Sequence, residues 1–183
     1  AKLSDVQKAL VANKDVLDAA QEKIAQLQAE KAANEAAAKA VEEEIAALPK
    51  DITLNDTKLV ETIAAKYNVL TEVQKALVPN KDVLDAAQAT IANLKVEKET
   101  NEAAAKAVRE EIAALPELIT LKEAAAVSKA STSYAMLTEA QKTLVTNKDV
   151  LDAAQVKIAQ LQEEKAANEA AAKAVEEEIA ALP

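Results

Sequence analysis

KDVLDAAQEKIAQLQAEKAANEAAAKAVEEEIAALP, residues 14–49, is the stretch whose reading decides the fold, and it returns with few changes at 81–116 and 148–183. In the first copy, Leu17, Ala20, Ile24, Leu27, Lys31, Asn34, Ala38, Val41, Ile45 and Leu48 follow one another at alternating steps of three and four. That spacing keeps one helix face in a line. The same ten residue types recur in the other two copies. A strict seven-residue pattern predicts a long helix whose seam stays on one side under a gentle left-handed supercoil. The helix begins after Asn13, Asn80 or Asn147 and runs about 34 residues to Pro49, Pro116 or Pro183, roughly 50 Å at about 1.5 Å per residue. Two seam positions are polar in every copy: Lys31 and Asn34, Lys98 and Asn101, Lys165 and Asn168. They are either buried groups that set register or solvated residues where the helix leaves one packing partner and meets the next. The second reading is preferred.

Working outward, a shift of 67 residues superimposes Leu3–Pro49, Leu70–Pro116 and Leu137–Pro183. Over these 47 positions the first and third copies differ at seven and the first and second at eleven. The segments between them match more loosely but in phase: Ile52, Thr53, Leu54, Val60, Tyr67 and Leu70 recur as Ile119, Thr120, Leu121, Val127, Tyr134 and Leu137. The sequence thus divides into a partial repeat, 1–49, and two complete repeats, 50–116 and 117–183. Opening partway through a repeat, it reads as a piece of a longer array.

Each complete repeat parses into three helices, A, B and C. Thr53 with Asp56, and Thr120 with Glu123, give a capping-box pattern at the head of A. Ser4 with Gln7, Thr71 with Gln74, and Thr138 with Gln141 do the same for the short B. Each Asn before the long helix C is followed by Lys-Asp, which puts an acid in the first turn where the dipole favours it. With no Gly in the chain, Asn is also the residue best able to take a left-handed conformation, so this Asn is expected to end B and cap C. Pro79, just before Asn80, fits a hinge and not a helix interior. The first half of C should pack with its own A and B, and the second half with the A of the following repeat. Helix A should bring Leu59, Val60, Ile63, Tyr67 and Leu70 to that seam, with Ala126, Val127, Ala130, Tyr134 and Leu137 in the last copy. Alanine in place of Leu59 and Ile63 should thin the last unit by a few kcal/mol where those sites are buried. Tyr67 and Tyr134, the only aromatic residues, read as core plugs with the hydroxyl at the edge, in preference to a ligand-stacking role. The resulting fold class is all-α: tandem three-helix repeats with a long third helix, forming an elongated rod or slow superhelix.

The 183 residues contain no Gly, His, Cys, Trp or Phe. Zinc sites of the usual kind, disulfides, thiol nucleophiles, imidazole bases and glycine-rich phosphate loops are therefore excluded. Alanine alone contributes 45 residues and Leu, Ile and Val together 44, so thin helix-on-helix seams are expected instead of a thick core. A net charge of −9 opposes nucleic acid and anionic membrane surfaces, which need a clustered positive face. The apolar runs are far shorter than the roughly 20 residues that span a bilayer, so no membrane insertion is expected. The first residues, AKLSDVQKAL, lack the features of a secretory signal, which fits a cytosolic protein or a mature internal fragment.

The dense carboxylates, Glu42 to Glu44, Glu110 to Glu111 and Glu176 to Glu178, read as solvated faces, because neighbouring helical residues point in different directions. Asp51, Asn55 and Asp56 have the composition of a calcium turn, but the next copy carries Leu118, Lys122 and Glu123 there. A site belonging to the repeat should recur with it. No Ser, Thr or Lys lies in a pattern that activates a nucleophile, so no catalytic, cofactor-binding or metal residue is assigned and an enzyme is not expected.

The run ITLNDTKLVETIAAKYNVLTEVQKALVPN, Ile52 to Asn80, resembles a tandem α-helical repeat of large Gram-positive bacterial surface proteins, cell-wall-anchored or S-layer-like. The shared residues are Ile52-Thr53-Leu54 with Asp56, then Val60, Tyr67, Leu70-Thr71, Gln74-Lys75, Leu77-Val78 and Asn80, preceded by Ala47 to Pro49. The last copy keeps most of them but carries Glu123 for the acid and Ser128, Ser131 and Ser133 in helix A. The first copy matches in helix B alone. The motif covers under half of each repeat. The resemblance implies an extracellular, cell-surface location and a spacer or stalk role, with neighbouring repeats as the main partners and no catalytic residues to transfer.

Three functions follow for comparison. A structural stalk should be an elongated, highly helical, monomeric particle. A binding module would use an exposed helical face for a host protein or wall polymer. A self-assembling filament would use the seam residues Ala172, Val175, Ile179 and Leu182 to dock end to end on another molecule. The stalk is the leading expectation.

Overall fold

The structure, a computed structural model, describes residues 2–182; Pro183, the expected stop of the last long helix, lies outside them. All regular structure among the described residues is helical. In chain order the helices are α1 (Asp5–Ala9), α2 (Lys14–Ala46), α3 (Thr57–Asn68), α4 (Glu72–Lys75), α5 (Lys81–Ala113), α6 (Ala124–Ala135), α7 (Glu139–Lys142) and α8 (Lys148–Ala180). Single 3-10 turns at Leu54–Asp56 and Leu121–Glu123 lead into α3 and α6.

The long helices α2, α5 and α8 are each 33 residues. They start where the Asn-Lys-Asp signal places them. The first two stop three residues short of a proline, because the residue before Pro is pushed out of the α region. At the end of α2 the last turn tightens, with the Leu48 N–H donating to the Ile45 carbonyl at 3.1 Å. The B elements are four or five residues long, far too short to be stable alone. Each is closed by a complete capping box, as in α4, where the Gln74 N–H donates to Thr71 Oγ1 at 3.3 Å and the Thr71 N–H donates to Gln74 Oε1 at 2.9 Å. At the head of the A segments the box closes mainly through the acid. The Thr53 N–H and hydroxyl both donate to Asp56 Oδ2 at 2.8 Å, and the turn they fix is 3-10 before it becomes α.

The asparagine expectation is overturned. No described residue has a positive φ. Asn13 and Asn147 sit at φ −115° and −117° with ψ near 30°, and neither side chain caps its helix. The chain turns here without any positive φ, so no left-handed residue is needed and the Asn147 side chain is left for another use.

The chain packs as two compact units, one up to Lys95 and one from Val96. In the first, Ala38, Val41 and Ile45 of α2, Val60, Ile63 and Ala64 of α3, Val78 and then Leu84, Ala87 and Ile91 of α5 form the buried core. In the second, Ala105, Val108 and Ile112 of α5, Val127 and Ala130 of α6, Val145 and then Leu151, Ala154 and Ile158 of α8 form it. The buried long-helix residues are those of the alternating three-and-four seam. Burying each Ile or Leu contributes about 2 to 3 kcal/mol, against the entropy of fixing the chain.

Two packing expectations need correction. Leu59 is exposed: α3 buries positions 60, 63 and 64, and a residue one step before Val60 is turned about 100° away from them. Only the Ile63 to Ala130 difference therefore thins the second core, while the Ala64 position becomes Ser131. Helix B also leans the other way. The element α4 packs against α2, the long helix before it in sequence, whereas it was expected against the long helix that follows. Tyr67 and Tyr134 are half-buried at the edges of the two cores, with Lys81 Nζ 5.6 Å from the first ring centre and Lys148 Nζ 5.4 Å from the second.

Candidate functional site

What the sequence folds into a site is a junction between the end of one long helix and the start of the next. Gln74 is its pivot. While its Oε1 accepts the Thr71 N–H in the capping box, its Nε2 donates to Asn34 Oδ1 of α2 at 3.0 Å. Asn80 adds a second tie, with Nδ2 donating to the Glu42 carbonyl at 3.0 Å. In the unit from Val96, Gln141 donates to Asn101 at 2.9 Å and Asn147 to the Arg109 carbonyl at 3.0 Å. Arg109 itself reaches the Leu144 carbonyl at 3.2 Å. These half-buried ties fix how far along the preceding helix each short element sits, since a shift of one residue would break both at once.

The polar seam pair therefore divides between its two readings. Lys31 and Lys98 are solvated and pair along their own helices with Glu35 at 3.6 Å and Glu102 at 3.7 Å. Asn34 and Asn101 are half-buried and set register. Sequence reasoning missed these ties, yet their signal was present: Asn34 with Gln74, and Asn101 with Gln141, keep the same separation of 40 residues. The A helix of the second unit has a tie of its own, Gln155 Nε2 to Ser131 Oγ at 2.7 Å, where the first unit has the apolar Ala64.

The acidic clusters are spread over different partners. Glu43 pairs with Lys39 at 3.8 Å, Glu44 with Lys66 of α3, Glu110 with Lys106 at 3.7 Å, and Glu177 with Lys173 at 3.7 Å. Glu111 pairs with Lys129 of α6 at 2.9 Å. Ser133, and after it Lys129, hold the Glu111 carboxyl below its ordinary range against a smaller effect of burial. Asp56 is held low by the Thr53 N–H and then by its hydroxyl, and Glu123 by the Thr120 hydroxyl and then its N–H. Lys81 and Lys148 are raised by hydrogen bonds to Asp85 and Asp152. Each shift belongs to a cap, an ion pair or, at Glu111, a serine hydrogen bond beside one, which is structural chemistry. Asp51 and Asn55 are exposed beside Asp56, whose carboxylate is engaged by Thr53. Among the described residues no group of three or more acidic side chains is arranged to hold a metal ion.

Two seam faces lie open. Leu17 and Ile24 in the first half of α2 are 58% and 54% exposed, whereas Leu84 and Ile91 in α5 are 2% and 5%. Val175 and Ile179 in the second half of α8 are 54% and 62% exposed, against 4% and 0% for Val108 and Ile112. Beside the first face, Leu3, Val11, Val16, Leu17 and Ala20 line an apolar groove of about 630 Å³. No family model matches this chain, and comparison with curated proteins and with solved structures found no match.

Proposed function

We propose that the chain is a non-catalytic spacer of a bacterial surface protein, a run of 67-residue three-helix repeats that forms an elongated rod and carries another domain away from the cell wall. The observation that carries the reading is α5. Its first half supplies Leu84, Ala87 and Ile91 to one core, and its second half supplies Ala105, Val108 and Ile112 to another. A helix used in this way lets stability arise from neighbour contacts, so that copies add length without new chemistry. The acidic, alanine-rich composition and the resemblance of Ile52 to Asn80 to surface-protein repeats support the compartment. Neighbouring repeats are its partners, with no nucleic acid and no membrane insertion.

Small-angle scattering of the dilute chain tests the shape. An elongated particle is expected, and a compact globule would overturn the reading. Antibodies against the chain should label intact source cells, and labelling confined to permeabilised cells would remove the surface location.

A further inference from the structure

The two units hold different A helices in the same frame. Of the 12 residues of α3, only Val60 and Tyr67 recur in α6, as Val127 and Tyr134. The 47 residues that follow, Leu70–Pro116 and Leu137–Pro183, differ at only eleven positions, and none of the eleven belongs to the buried walls of either core. Those walls recur type for type 67 residues on. From one long helix Val41 returns as Val108 and Ile45 as Ile112, and from the next Leu84 returns as Leu151 and Ile91 as Ile158.

Two polar contacts are constant on the side of the frame and variable on the side of the helix. Glu44 pairs with Lys66, and its counterpart Glu111 pairs with Lys129 at 2.9 Å. These lysines do not correspond: Lys66 aligns with Ser133, and Lys129 aligns with Thr62, one turn earlier. The same carboxylate is thus reached from either of two successive turns, which the long flexible stem of lysine allows. Gln155 donates to Ser131 at 2.7 Å, and Gln88 stands at the equivalent place in α5, where the aligned A residue is Ala64. One contact changes on both sides. Lys95 reaches Glu61 at 3.3 Å, whereas Gln162 and Ser128 stand at those places in the second unit. Both members of that pair are well exposed, so its contribution is small.

We propose that the paired long helices form a common cradle that does not distinguish α3 from α6, so that helix A is an interchangeable cassette. The cradle takes an amphipathic helix with Val at the place of Val60, Ile or Ala at that of Ile63, Tyr at that of Tyr67, and a lysine on one of two adjacent turns. The frame leaves other outward positions unconstrained, as where exposed Lys58 and Ala65 become exposed Ala125 and Thr132. A run of such units changes the surface it displays by changing A alone, with the walls that hold A unaltered.

The test is a reciprocal exchange in the full chain, with AAAVSKASTSYA placed at 57–68 and TKLVETIAAKYN at 124–135. Both sequences carry their tyrosine at the same place, so Tyr67→Phe or Tyr134→Phe leaves one fluorescent reporter in a chosen unit. The exchanged chain should be as helical as the parent by circular dichroism. In urea, the unfolding constant of each unit should follow the helix it holds. It should lie within about fivefold of the value that helix has in its own unit, the most that an exposed ion pair such as Lys95 to Glu61 is worth. Where both units unfold in one transition, its constant should stay within the same range of the parent's. A larger loss in either unit, or a chain that loses helix without urea, would overturn the proposal by showing that each A helix fits its own cradle alone. The proposal does not rest on the spacer reading: scattering and cell labelling test that reading, and a failed exchange leaves it standing.

Discussion

At the scale of single residues, the glutamine of the B capping box carries two jobs with one amide. Gln74 closes the first turn of α4 with Oε1 and ties that turn to α2 with Nε2. Removing the receiving side alone, with Asn34→Ala, should cost about 1 kcal/mol, the net worth of a typical hydrogen bond. Removing both jobs, with Gln74→Ala, should cost about 2 kcal/mol, since loss of a cap adds about 1 kcal/mol. In the Asn34→Ala background Gln74→Ala should cost less, and urea unfolding of the four chains gives the coupling directly. Additive costs would mean that the tie contributes nothing. Asp56 offers a pH-dependent counterpart. Its carboxyl is held below its ordinary 3.8 by the Thr53 N–H and hydroxyl. A group with a depressed folded pKa contributes stability above its unfolded value, and that contribution is lost as pH falls through the folded value. Asp56→Asn should therefore melt below the parent at neutral pH, and the two melting temperatures should converge as pH drops under 3.8. A gap independent of pH would show that the charge plays no part in the turn.

At the scale of helices, α2, α5 and α8 place nearly the same sequence in different surroundings. Residues 14–33 of α2 have an exposed seam, whereas the same stretches of α5 and α8 are buried on theirs; at the other end it is α8, over 168–180, whose seam lies open. An isolated helix is marginal in water even when alanine-rich, and packing of the apolar face supplies most of its protection. Hydrogen exchange of the dilute chain should therefore find amides 14–33 and 168–180 exchanging faster than their counterparts in α5. Equal protection would mean that propensity, not packing, holds these helices. The same contrast explains what could be read in advance. Helix limits were legible because caps and prolines act within three or four residues, and the seam was legible because 17, 20, 24 and their successors keep one face. The inward face of α3 was read one residue too wide, at Leu59, because an exposed Leu beside Val60 looks locally like a buried one. The lean of α4 onto α2, and the asparagine ties, depend on pairs about 40 residues apart, which no local pattern specifies. The asparagine was misread for a related reason: its backbone bend is common, and its side chain is committed to a distant carbonyl.

At the scale of the whole chain, two replacements in helix A decide which core should fail first. Ile63 in the first is replaced by Ala130 in the second, and Ala64 by Ser131. Losing the buried isoleucine side chain removes about 2 kcal/mol of apolar burial. The second unit recovers part of this through the Gln155 to Ser131 hydrogen bond alone, since its Lys129 to Glu111 pair is matched in the first unit by Lys66 with Glu44. A typical hydrogen bond returns about 1 kcal/mol, but the hydroxyl must also be desolvated. The balance leaves the unit from Val96 the weaker. Each unit holds one of the two tyrosines, Tyr67 in the first and Tyr134 in the second, so the chain carries its own reporters. In Tyr67→Phe the remaining fluorescence follows the second unit, and in Tyr134→Phe it follows the first. Replacing the hydroxyl at the edge of a core leaves the packing of the ring in place, so either variant should stay close to the parent in helicity. On titration with urea the Tyr134 signal should change at lower concentration than the Tyr67 signal. Installing Ala at position 63, as Ile63→Ala, should bring the two midpoints together or reverse them, since the first unit then loses the side chain without gaining the serine tie. Midpoints that coincide in the two variants would mean that continuity through α5 couples the cores strongly enough to hide the difference, and an earlier change at Tyr67 would mean that the serine tie outweighs the isoleucine.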